Sequence, residues 1–438
     1  MRTVPLSECI LPAKSKVQPK DYPGFPYIGL DDVESHTGQI LTKKSTEEMK
    51  SAAVLFSPGE ILYGRLRPYL NKVFVANEYG LCSAEFIPLK CKSEIVIPEY
   101  LAWLLRSNKF VSFSTRLGAG DRPRVSLDDI GFFLVPLYNT ITQKKIVSKI
   151  DTLFAEIDAG MADLKRAKAQ LELYKQSVLN AAIQGKLVPQ DPNDEPASKL
   201  LERIRAEKEK LIKEGKIKKQ KPLPPIDPSE VPFELPQGWE WVRLGELSQE
   251  FNYGTSQKCD YSISGTPVLR IPNIGNEVID IGDLKFTRLE KNDYENLKLQ
   301  IGDILIIRSN GSVNLVGRSA IVNDSSVGMA YAGYLIRLRP FQTVEPEYIH
   351  LCLSSFYLRT QIEAFAKSTS GVNNINAQEL SRLIIPLPPT SEQIRVIKTV
   401  KKISEKKLGK SLGIELNLSF TSLLKQSILK SAFEGTLV

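Results

Sequence analysis

The chain has 438 residues, of which 42% are hydrophobic and 25% charged, and a formal charge of +8. At about 150 residues per domain, this length predicts two or three globular domains. No apolar run approaches the ~18 residues of a membrane span or suits a signal peptide, and the five cysteines form no CxxC pair. We therefore expect a cytoplasmic protein with reduced thiols and no membrane contact. Two histidines disfavour a zinc site or a Ser-His triad, whereas the basic charge permits a polyanionic partner.

Residues 1–138 are predicted to form a first mixed α/β domain. Short apolar runs at Ala53–Phe56, Glu60–Tyr63 and Lys72–Ala76 alternate with glycine and proline, as strands do. Pro98 suits the first turn of a helix and predicts that one begins there.

Residues 139–188 are predicted to form a first long helix and the segment that follows it. Thr140 and Gln143 have the spacing of a capping box, which predicts the helix start. The length, about 40 residues, exceeds the usual 10–14 of a core helix. Apolar residues at heptad spacing indicate a coiled-coil-like seam: Ile150, Ile157, Leu164, Leu171 and Val178.

The rest of the chain is predicted to hold a linker, a second domain and a second long helix. Residues 189–234 are charged and proline-rich around an amphipathic helix at 197–214, and we expect a solvated linker. The second domain spans 235–388 and the second long helix 389–438, in which Thr390 and Gln393 repeat the capping spacing. The matching apolar face of that helix carries Val400, Ile403, Leu424 and Ile428.

The chain contains an internal repeat. Leu173–Val188 and Leu423–Val438 share nine of sixteen residues without a gap, at an offset of 250. A period this long indicates duplication of a whole domain-plus-helix unit, because solenoid repeats run nearer ~20–50 residues. The predicted fold class is therefore α+β, with two mixed α/β domains joined by two long antiparallel helices in an internal pseudo-twofold repeat.

Loops at corresponding places in the two halves suit nucleic acid. Arginine forks pair with guanine, asparagine with adenine, and lysine or glycine-rich backbone with phosphate. A surface salt bridge remains the alternative for any one arginine. The candidates are Arg65, Arg67, Lys72, Arg122 and Arg124 in the first domain, and Arg308, Asn310, Arg318, Asn373 and Asn374 in the second. No nucleotide-binding GxxxxGK[ST] loop or paired acidic cluster is evident, and Gly118-Ala119-Gly120 is interpreted as a flexible loop.

The chain resembles the specificity subunit of type I restriction-modification enzymes. The resemblance rests on the two helix segments above, on Gly185–Ala197, and on Leu235–Trp241, which is similar to the start of a second target-recognition domain in that family. It covers essentially the whole chain. The first half departs from the pattern, because it lacks a Leu-Pro-x-Gly-Trp start and opens at Thr3–Leu6.

The resemblance implies a non-catalytic subunit whose two target-recognition domains each read one half-site of duplex DNA. The long helices would act as a ruler about 60 Å long, which caps the separation at somewhat under two DNA turns. They would also bind two methyltransferase subunits, with the apolar residues named above on the two long helices as the candidate partner-binding positions, and the assembly would recruit restriction subunits. S-adenosylmethionine, ATP and Mg²⁺ would belong to those partners. Two alternatives remain: a stand-alone methyltransferase or nuclease with cryptic motifs, and a coiled-coil scaffold that does not bind DNA.

Overall fold

The computed structural model describes residues 2–11, 16–49, 51–118, 120–275, 277–366 and 371–438, with side-chain surroundings for all except residues 48 and 406–412. The chain divides into two compact units. Unit 1 comprises Met1–Ala167 and Gly413–Val438, and unit 2 comprises Lys168–Leu412. Each unit therefore contains one globular part and one portion of each long helix.

The globular part of unit 1 contains small sheets covered by short helices. Its strands are β1 (Arg2–Pro5), β2 (Lys16–Val17), β3 (Pro26–Ile28), β4 (Lys44–Ser45), β5 (Ala53–Phe56), β6 (Ile61–Gly64), β7 (Val73–Val75), β8 (Gly80–Ser83), β9 (Phe86–Leu89) and β10 (Leu134–Leu137). Its helices are α1 (Leu6–Cys9), α2 (Pro98–Leu105), α3 (Asn108–Leu117) and α4 (Leu127–Gly131), followed by the long helix α5 (Thr140–Ile183). The sheet orders are β2-β5-β8-β3-β4, β7-β6-β9 and β1-β10. The three predicted strands and the helix at Pro98 are confirmed.

Unit 2 begins within α5 and ends within the second long helix. Its helices are α6 (Ala197–Lys213), α7 (Ile271–Ile274), α8 (Lys291–Leu297), α9 (Pro346–Ser354), α10 (Phe356–Phe365), α11 (Ala377–Arg382) and the long α12 (Thr390–Glu434). Its strands are β11 (Glu240–Arg243), β12 (Ser248–Tyr253), β13 (Thr266–Leu269), β14 (Lys285–Thr287), β15 (Ile304–Ile307), β16 (Ser309–Asn310), β17 (Ser319–Ile321), β18 (Ala330–Tyr331), β19 (Leu335–Pro340), β20 (Asn373–Asn374) and β21 (Ile384–Leu387). The sheet orders are β12-β19-β15-β17, β14-β13-β18, β16-β20 and β11-β21.

The strand that opens each globular part pairs with the strand that precedes a long helix. In unit 1, β1 lies antiparallel to β10, and in unit 2, β11 lies antiparallel to β21 in the same register. The tyrosines of α2 and α9 repeat a further contact: Tyr100 donates to the Pro136 carbonyl at 2.7 Å and Tyr348 to the Pro386 carbonyl at 2.9 Å. The first half therefore has the same opening strand as the second, although it lacks the Leu-Pro-x-Gly-Trp sequence, and the predicted fold class with its internal repeat is confirmed.

Each unit packs one long helix against the other around its own apolar core. In unit 1 the start of α5 contributes Ile146 and Ile150, and the end of α12 contributes Leu429 and Phe433. In unit 2 the end of α5 contributes Leu179 and Ile183, and the start of α12 contributes Val396 and Ile397; all eight side chains are buried. The two helices therefore run antiparallel within each unit.

The predicted capping box at Thr140 is wrong. The cap of α5 is Asn139, whose Oδ1 accepts from the Thr142 amide at 2.8 Å. Gln143 is fully buried and reaches away from its own helix: its Oε1 accepts from the Ile97 amide at 2.9 Å. Its Nε2 donates to the Ile95 and Tyr138 carbonyls at 2.9 and 2.8 Å. The glutamine therefore joins α5 to the start of α2 because it satisfies backbone groups there.

The linker after α5 is partly packed rather than fully solvated. The helix α6 buries Leu200 and Ile204, as its amphipathic pattern predicts. Further on, the buried Arg243 guanidinium donates to the Pro224 and Pro225 carbonyls at 3.2 and 3.0 Å. It also pairs with Glu230 at 2.8 Å, which holds the pKa of that carboxyl below its usual range. This end of the linker is thus fixed to unit 2, which the charge pattern did not predict.

Candidate nucleic-acid interface

Two loops of unit 1 that are far apart in sequence meet beyond the end of β6. The Arg67 amide donates to the Pro123 carbonyl at 2.7 Å, and the Val125 amide donates to the Arg65 carbonyl at 3.2 Å. The structure therefore brings together the arginine-bearing loops at 65–67 and 122–124, which the sequence could only propose separately. We call this pair of loops the unit 1 junction.

Arg67 adopts a backbone conformation that is costly for its residue type. Its φ is 51°, in the left-handed region, and it directly precedes Pro68. Such a conformation costs on the order of 1–3 kcal/mol and concentrates at functional positions. The Nε atoms of Arg67 and of its half-buried neighbour Arg65 are buried without a hydrogen-bond partner among the described residues. Neither Nε group is thus used in a hydrogen bond within the described part of the chain.

The other two arginines of the junction differ in their partners. Arg124 makes a two-pronged contact with Glu85, with N–O distances of 2.8–3.2 Å, and this hydrogen bonding holds the pKa of that carboxyl below its usual range. Arg122 is exposed and takes part in no ion pair within the described part of the chain. The salt-bridge alternative therefore applies to Arg124, while Arg122 remains available to a partner.

Lys72 has a structural role instead of the predicted phosphate contact. Its side chain is buried, with 9% of the residue exposed, and Nζ donates to the Leu30 carbonyl at 2.9 Å. A buried ammonium that already satisfies a buried carbonyl is badly placed to reach a DNA phosphate. We therefore remove Lys72 from the proposed DNA contacts.

Unit 2 builds the same junction from different side chains. The strand β16, which follows β15, pairs with β20, so Ser309 lies opposite Asn374. The Ile375 amide donates to the Arg308 carbonyl at 2.8 Å, as the Val125 amide does to Arg65 in unit 1. We call this pair of loops the unit 2 junction, and Arg308 and Arg65 occupy equivalent places in the two.

An aromatic ring and an amide orient the Arg308 side chain. Its guanidinium lies 4.7 Å from the centre of the Tyr253 ring, within the range of a cation–π interaction. Its Nε donates to Asn374 Oδ1 at 3.3 Å. Tyr253 is itself positioned, because its hydroxyl accepts from the Ala377 amide at 3.0 Å. Arg308 is thus held at the surface without an acidic partner among the described residues.

The remaining candidates in unit 2 form hydrogen bonds to the backbone of the loops. Arg318 is half-buried and donates to the Asn314 and Gly275 carbonyls at 3.1 and 3.2 Å, so we assign it a bracing role rather than a DNA contact. Asn373 Nδ2 donates to the Gly311 carbonyl at 3.1 Å. Asn310 Oδ1 accepts from the Ser312 amide at 2.9 Å, which leaves its amide nitrogen available.

Sequence reasoning missed the tyrosines of unit 2. Tyr253 is 39% exposed beside Arg308, and Tyr334 is 65% exposed, with its carbonyl accepting from the Arg308 amide at 2.9 Å. Exposed rings beside an arginine suit stacking on bases or sugars. The only signal in the sequence for Tyr253 was its position directly before Gly254. Ala119 and residues 368–370, which belong to the predicted loops, lie outside the described residues.

The seam residues of the long helices divide into buried and partly exposed positions. Ile150 is fully buried in the core of unit 1, and Val178 of unit 2 is 8% exposed. Leu424 is 51% exposed, whereas Leu429 lies in the core of unit 1, so Leu424 does not pack in the seam and stays a candidate for partner contact. The others are half-buried: Ile157, Leu164, Leu171, Val400, Ile403 and Ile428.

The repeated helix segments expose an apolar pair at equivalent positions. Leu173 and Tyr174 on α5 are 69% and 46% exposed, and Leu423 and Leu424 on α12, at the 250-residue offset, are 62% and 51% exposed. Retention of large apolar side chains outside the core in both copies is typical of an interaction surface.

The described residues include neither a membrane-spanning helix nor a cluster of side chains suited to a metal ion. None of their helices is long and apolar enough to cross a membrane. No group of three or more histidine, cysteine or acidic side chains among them is arranged to hold a metal ion.

The fold and its junctions define a duplicated protein that presents two loop surfaces supported by paired long helices. The family model described as the type I restriction modification DNA specificity domain matches residues 7–166 and 236–416. The chain therefore belongs to this family. Its members are specificity subunits, which are recognition subunits.

Individual relatives agree with this assignment. The chain is 36% identical over 281 residues to the EcoAI specificity subunit of Escherichia coli, covering 64% of this chain and 47% of that protein. It is 26% identical to the EcoKI specificity subunit of Escherichia coli strain K12, covering 82% and 72%. The chain thus spans about half the length of the EcoAI subunit.

Two solved structures share the fold. One is a chain from a study of complex assembly and conformational transition in the type I R-M system, with a TM-score of 0.76, 22% identity and coverage of 99% and 98%. The other is the HsdS subunit from Thermoanaerobacter tengcongensis, with a TM-score of 0.58, 22% identity and coverage of 99% and 97%.

Proposed function

We propose that this chain is the DNA-specificity subunit of a type I restriction-modification complex and recognises a bipartite duplex target, one half-site with each unit. The observation that carries the proposal is the duplicated junction. In each unit an arginine beyond a central strand, Arg65 or Arg308, is joined by the same backbone hydrogen bond to a second loop. A duplicated framework that presents two different sets of side chains suits the recognition of two different half-sites.

The two junctions differ in the bases they suit. The unit 1 junction offers the guanidinium groups of Arg65, Arg67 and Arg122, and arginine forks pair best with guanine O6 and N7. The unit 2 junction offers Arg308 beside asparagine amides and exposed tyrosine rings. Because asparagine pairs with adenine, we expect the second half-site to depend more on adenine than the first.

The long helices would set the distance between the half-sites. α5 contains 44 residues and α12 contains 45. At about 1.5 Å per residue each is about 66 Å long, which corresponds to somewhat under two turns of DNA. The chain would therefore read two short sequences across a spacer of fixed length.

The partners of the complex would bind the repeated helix surface. The exposed pairs Leu173–Tyr174 and Leu423–Leu424 lie at equivalent positions, which suits two copies of a methyltransferase subunit. Restriction subunits would join this assembly. We further propose that this chain is non-catalytic and that S-adenosylmethionine, ATP and Mg²⁺ bind to those partners. A cytoplasmic location stays a prediction.

The experiment that tests this function is the methylome of the source cell with and without this gene, read by single-molecule sequencing. The expected result is the loss of one split, asymmetric methylated motif on deletion. An unchanged methylome, together with no salt-dependent duplex binding by the chain co-purified with a methyltransferase subunit, would contradict the proposal. Methylation or cleavage by the purified single chain would instead favour a stand-alone enzyme.

The same readout tests the ruler. Deletion of seven residues from α5 and from α12 keeps the heptad phase and shortens each helix by about 10 Å, or about three base pairs. The spacer in the methylated motif should shorten while both half-sites stay the same. Deletion of three residues from each helix, which disrupts the heptad phase, is the control and should abolish the motif. An unaltered spacer in the seven-residue variant would contradict the ruler.

A further inference from the structure

Unit 2 contains an apolar cleft between α9 and the two long helices. The cleft has a volume of about 550 Å³ and is open to solvent on one side. Its apolar wall is formed by Leu171, Val178, Leu351, Val400 and Ile403. Lys175, Lys401, Ser354 and Ser404 stand among these side chains. A cleft of this size can receive a large side chain.

The equivalent place in unit 1 is filled by the protein itself. The repeat offsets of 248 and 250 residues make Trp103 the counterpart of Leu351, and Phe154 the counterpart of Ser404. The Trp103 and Phe154 rings pack edge to face, with their centres 4.7 Å apart. Arg106, the counterpart of Ser354, places its guanidinium 4.8 Å from the Trp103 ring.

Three smaller side chains open the cleft in unit 2, although Tyr174 and His350, the larger counterparts of Leu424 and Ala102, also line it. Tryptophan, arginine and phenylalanine in unit 1 correspond to leucine, serine and serine in unit 2, and all three smaller residues line the cleft. The apolar wall is retained, since Ile150 and Leu153 of unit 1 correspond to Val400 and Ile403. Unit 2 thus lacks the Trp103–Phe154 pair and keeps apolar residues at the two wall positions.

The cation that borders the aromatic pair is also retained. In unit 1 the Lys425 ammonium lies 5.1 Å from the Phe154 ring centre and pairs with Asp158. Its counterpart in unit 2 is Lys175, which lines the cleft and pairs with Glu277 at 3.0 Å. An ammonium beside an apolar cleft favours an aromatic occupant, because it is attracted to the face of a ring.

The charge at the edge of the cleft differs between the units. In unit 1, Asp151 accepts a hydrogen bond from the Trp103 indole at 2.9 Å. The counterpart of Asp151 is Lys401, which borders the cleft and pairs with the exposed Glu347 at 3.1 Å. Glu172 and Glu277 line the cleft together with Lys175 and Lys401, so its charges are balanced and its apolar wall dominates the contact with an occupant.

We propose that this cleft receives an aromatic side chain from a protein partner, of phenylalanine or tryptophan size. The inference rests on the proposed function in naming that partner as a methyltransferase subunit. Tyr174, which is 46% exposed, also lines the cleft and lies three residues from Leu171 on the same face of α5, so it extends the apolar surface at the edge of the cleft. A deep cleft within a wider apolar surface is the usual seat of an interface anchor, which favours a protein over a small molecule.

The two repeated surfaces should therefore bind their partner copies differently. The partner copy bound at unit 2 inserts a ring, whereas the copy bound at unit 1 meets a place already occupied by Trp103 and Phe154. Only unit 2 binding should then depend on the open cleft.

The test introduces the aromatic residues of unit 1 at the equivalent positions of unit 2. In Ser404→Phe, the added ring should occupy the cleft, and Leu351→Trp is a second variant that fills it from α9. Each variant, purified as the full chain, is titrated with the methyltransferase subunit of the same system, and stoichiometry and affinity are measured by sedimentation. We expect at least a tenfold weaker binding of one of two methyltransferase copies. Lys402→Phe, which places the same ring on a neighbouring exposed position of α12, is the matched control and should bind as the wild type does.

The outcomes separate this proposal from the proposed function. If the wild type binds two methyltransferase subunits and both filled variants bind them equally well, the aromatic anchor is overturned and the function stands. If the wild type binds no methyltransferase subunit, the partner assignment fails and the anchor fails with it. Thermal unfolding of each variant confirms that a loss of binding comes from a folded protein.

Discussion

Unit 1 and unit 2 hold the same backbone junction but place different chemistry on it. The Arg65 and Arg308 carbonyls each accept the amide hydrogen bond that joins the two loops. Around Arg65 the junction carries further arginines, whereas around Arg308 it carries asparagines and a tyrosine. Because backbone hydrogen bonds hold the framework, the side chains that face a ligand can change without loss of the fold. Under the proposed function, a change in the bases that are read would therefore not require a new architecture.

The contacts at the starts of the two long helices are also unequal. Gln143 makes three hydrogen bonds to backbone groups at the start of unit 1 helices. The equivalent Gln393 donates to the Pro388 carbonyl at 3.0 Å, and its buried Oε1 has no partner among the described residues. The two repeats therefore start their long helices with the same residue but with different numbers of contacts.

The largest effect should come from removing these glutamines. Gln143→Ala leaves one amide and two carbonyls without a side-chain partner, so we expect a loss of about 3 kcal/mol in the free energy of unfolding. Gln393→Ala removes one hydrogen bond and should cost about 1 kcal/mol. Urea titration followed by circular dichroism measures both, with the exposed Ile141→Ala as the control at the same helix start. Equal losses at the two glutamines would contradict the difference between the repeats.

A smaller but more specific effect should follow from the junction arginines. Arg308→Ala removes the guanidinium over Tyr253 and should cost about 1–3 kcal/mol in DNA binding, with relaxed preference at one position of one half-site. Arg65→Ala should do the same in the other half-site. Titration of duplexes altered in either half measures the change, and Arg166→Ala, on the exposed surface of α5, is the control. A uniform loss on all duplexes would show phosphate contacts instead.

Local patterns were sufficient to predict the elements that repeat. The heptad spacing and the sixteen-residue repeat predicted the long helices, because apolar periodicity reflects the side of a helix that is buried. The start of α2 followed from Pro98, whose fixed φ suits a first helical turn. The candidate loops were also placed at corresponding positions, and the structure brings each pair together.

Contacts between distant segments could not be predicted in the same way. Lys72 is a basic residue in a candidate loop, as a DNA contact would be. It is buried, however, and its Nζ donates to the Leu30 carbonyl, 42 residues earlier. Gln143 has the spacing of a capping residue, yet its partners belong to the start of α2. In both cases a polar side chain is used to satisfy backbone groups that the fold buries. The cleft in unit 2 likewise forms between residues of α5, α9 and α12 that are distant in sequence.

The smallest expected difference between the repeats is a dependence of stability on pH. His350 on α9 is half-buried, with Nδ1 at 2.9 Å from Ser319 Oγ, and its counterpart in unit 1 is Ala102. Burial lowers the pKa of His350, which Glu277 partly offsets and Lys175 reinforces. His350 therefore takes up a proton at a higher pH in the unfolded chain than in the folded chain. The free energy of unfolding should be unaffected by this histidine above about pH 6.5 and should decrease as the pH is lowered below that value.

His350→Ala introduces the residue of unit 1 and should remove this part of the pH dependence. Thermal unfolding between pH 5 and pH 8, at constant ionic strength, compares the variant with the wild type, and His36→Ala controls for loss of a histidine elsewhere. We expect the midpoint of the wild type to fall more steeply below about pH 6.5 than that of His350→Ala. Parallel curves for the two proteins would mean that His350 takes up its proton equally well in the folded chain, and the repeats would then not differ in this respect. A flatter curve for the variant would show that a single replacement of alanine by histidine made one copy of the repeat sensitive to acid.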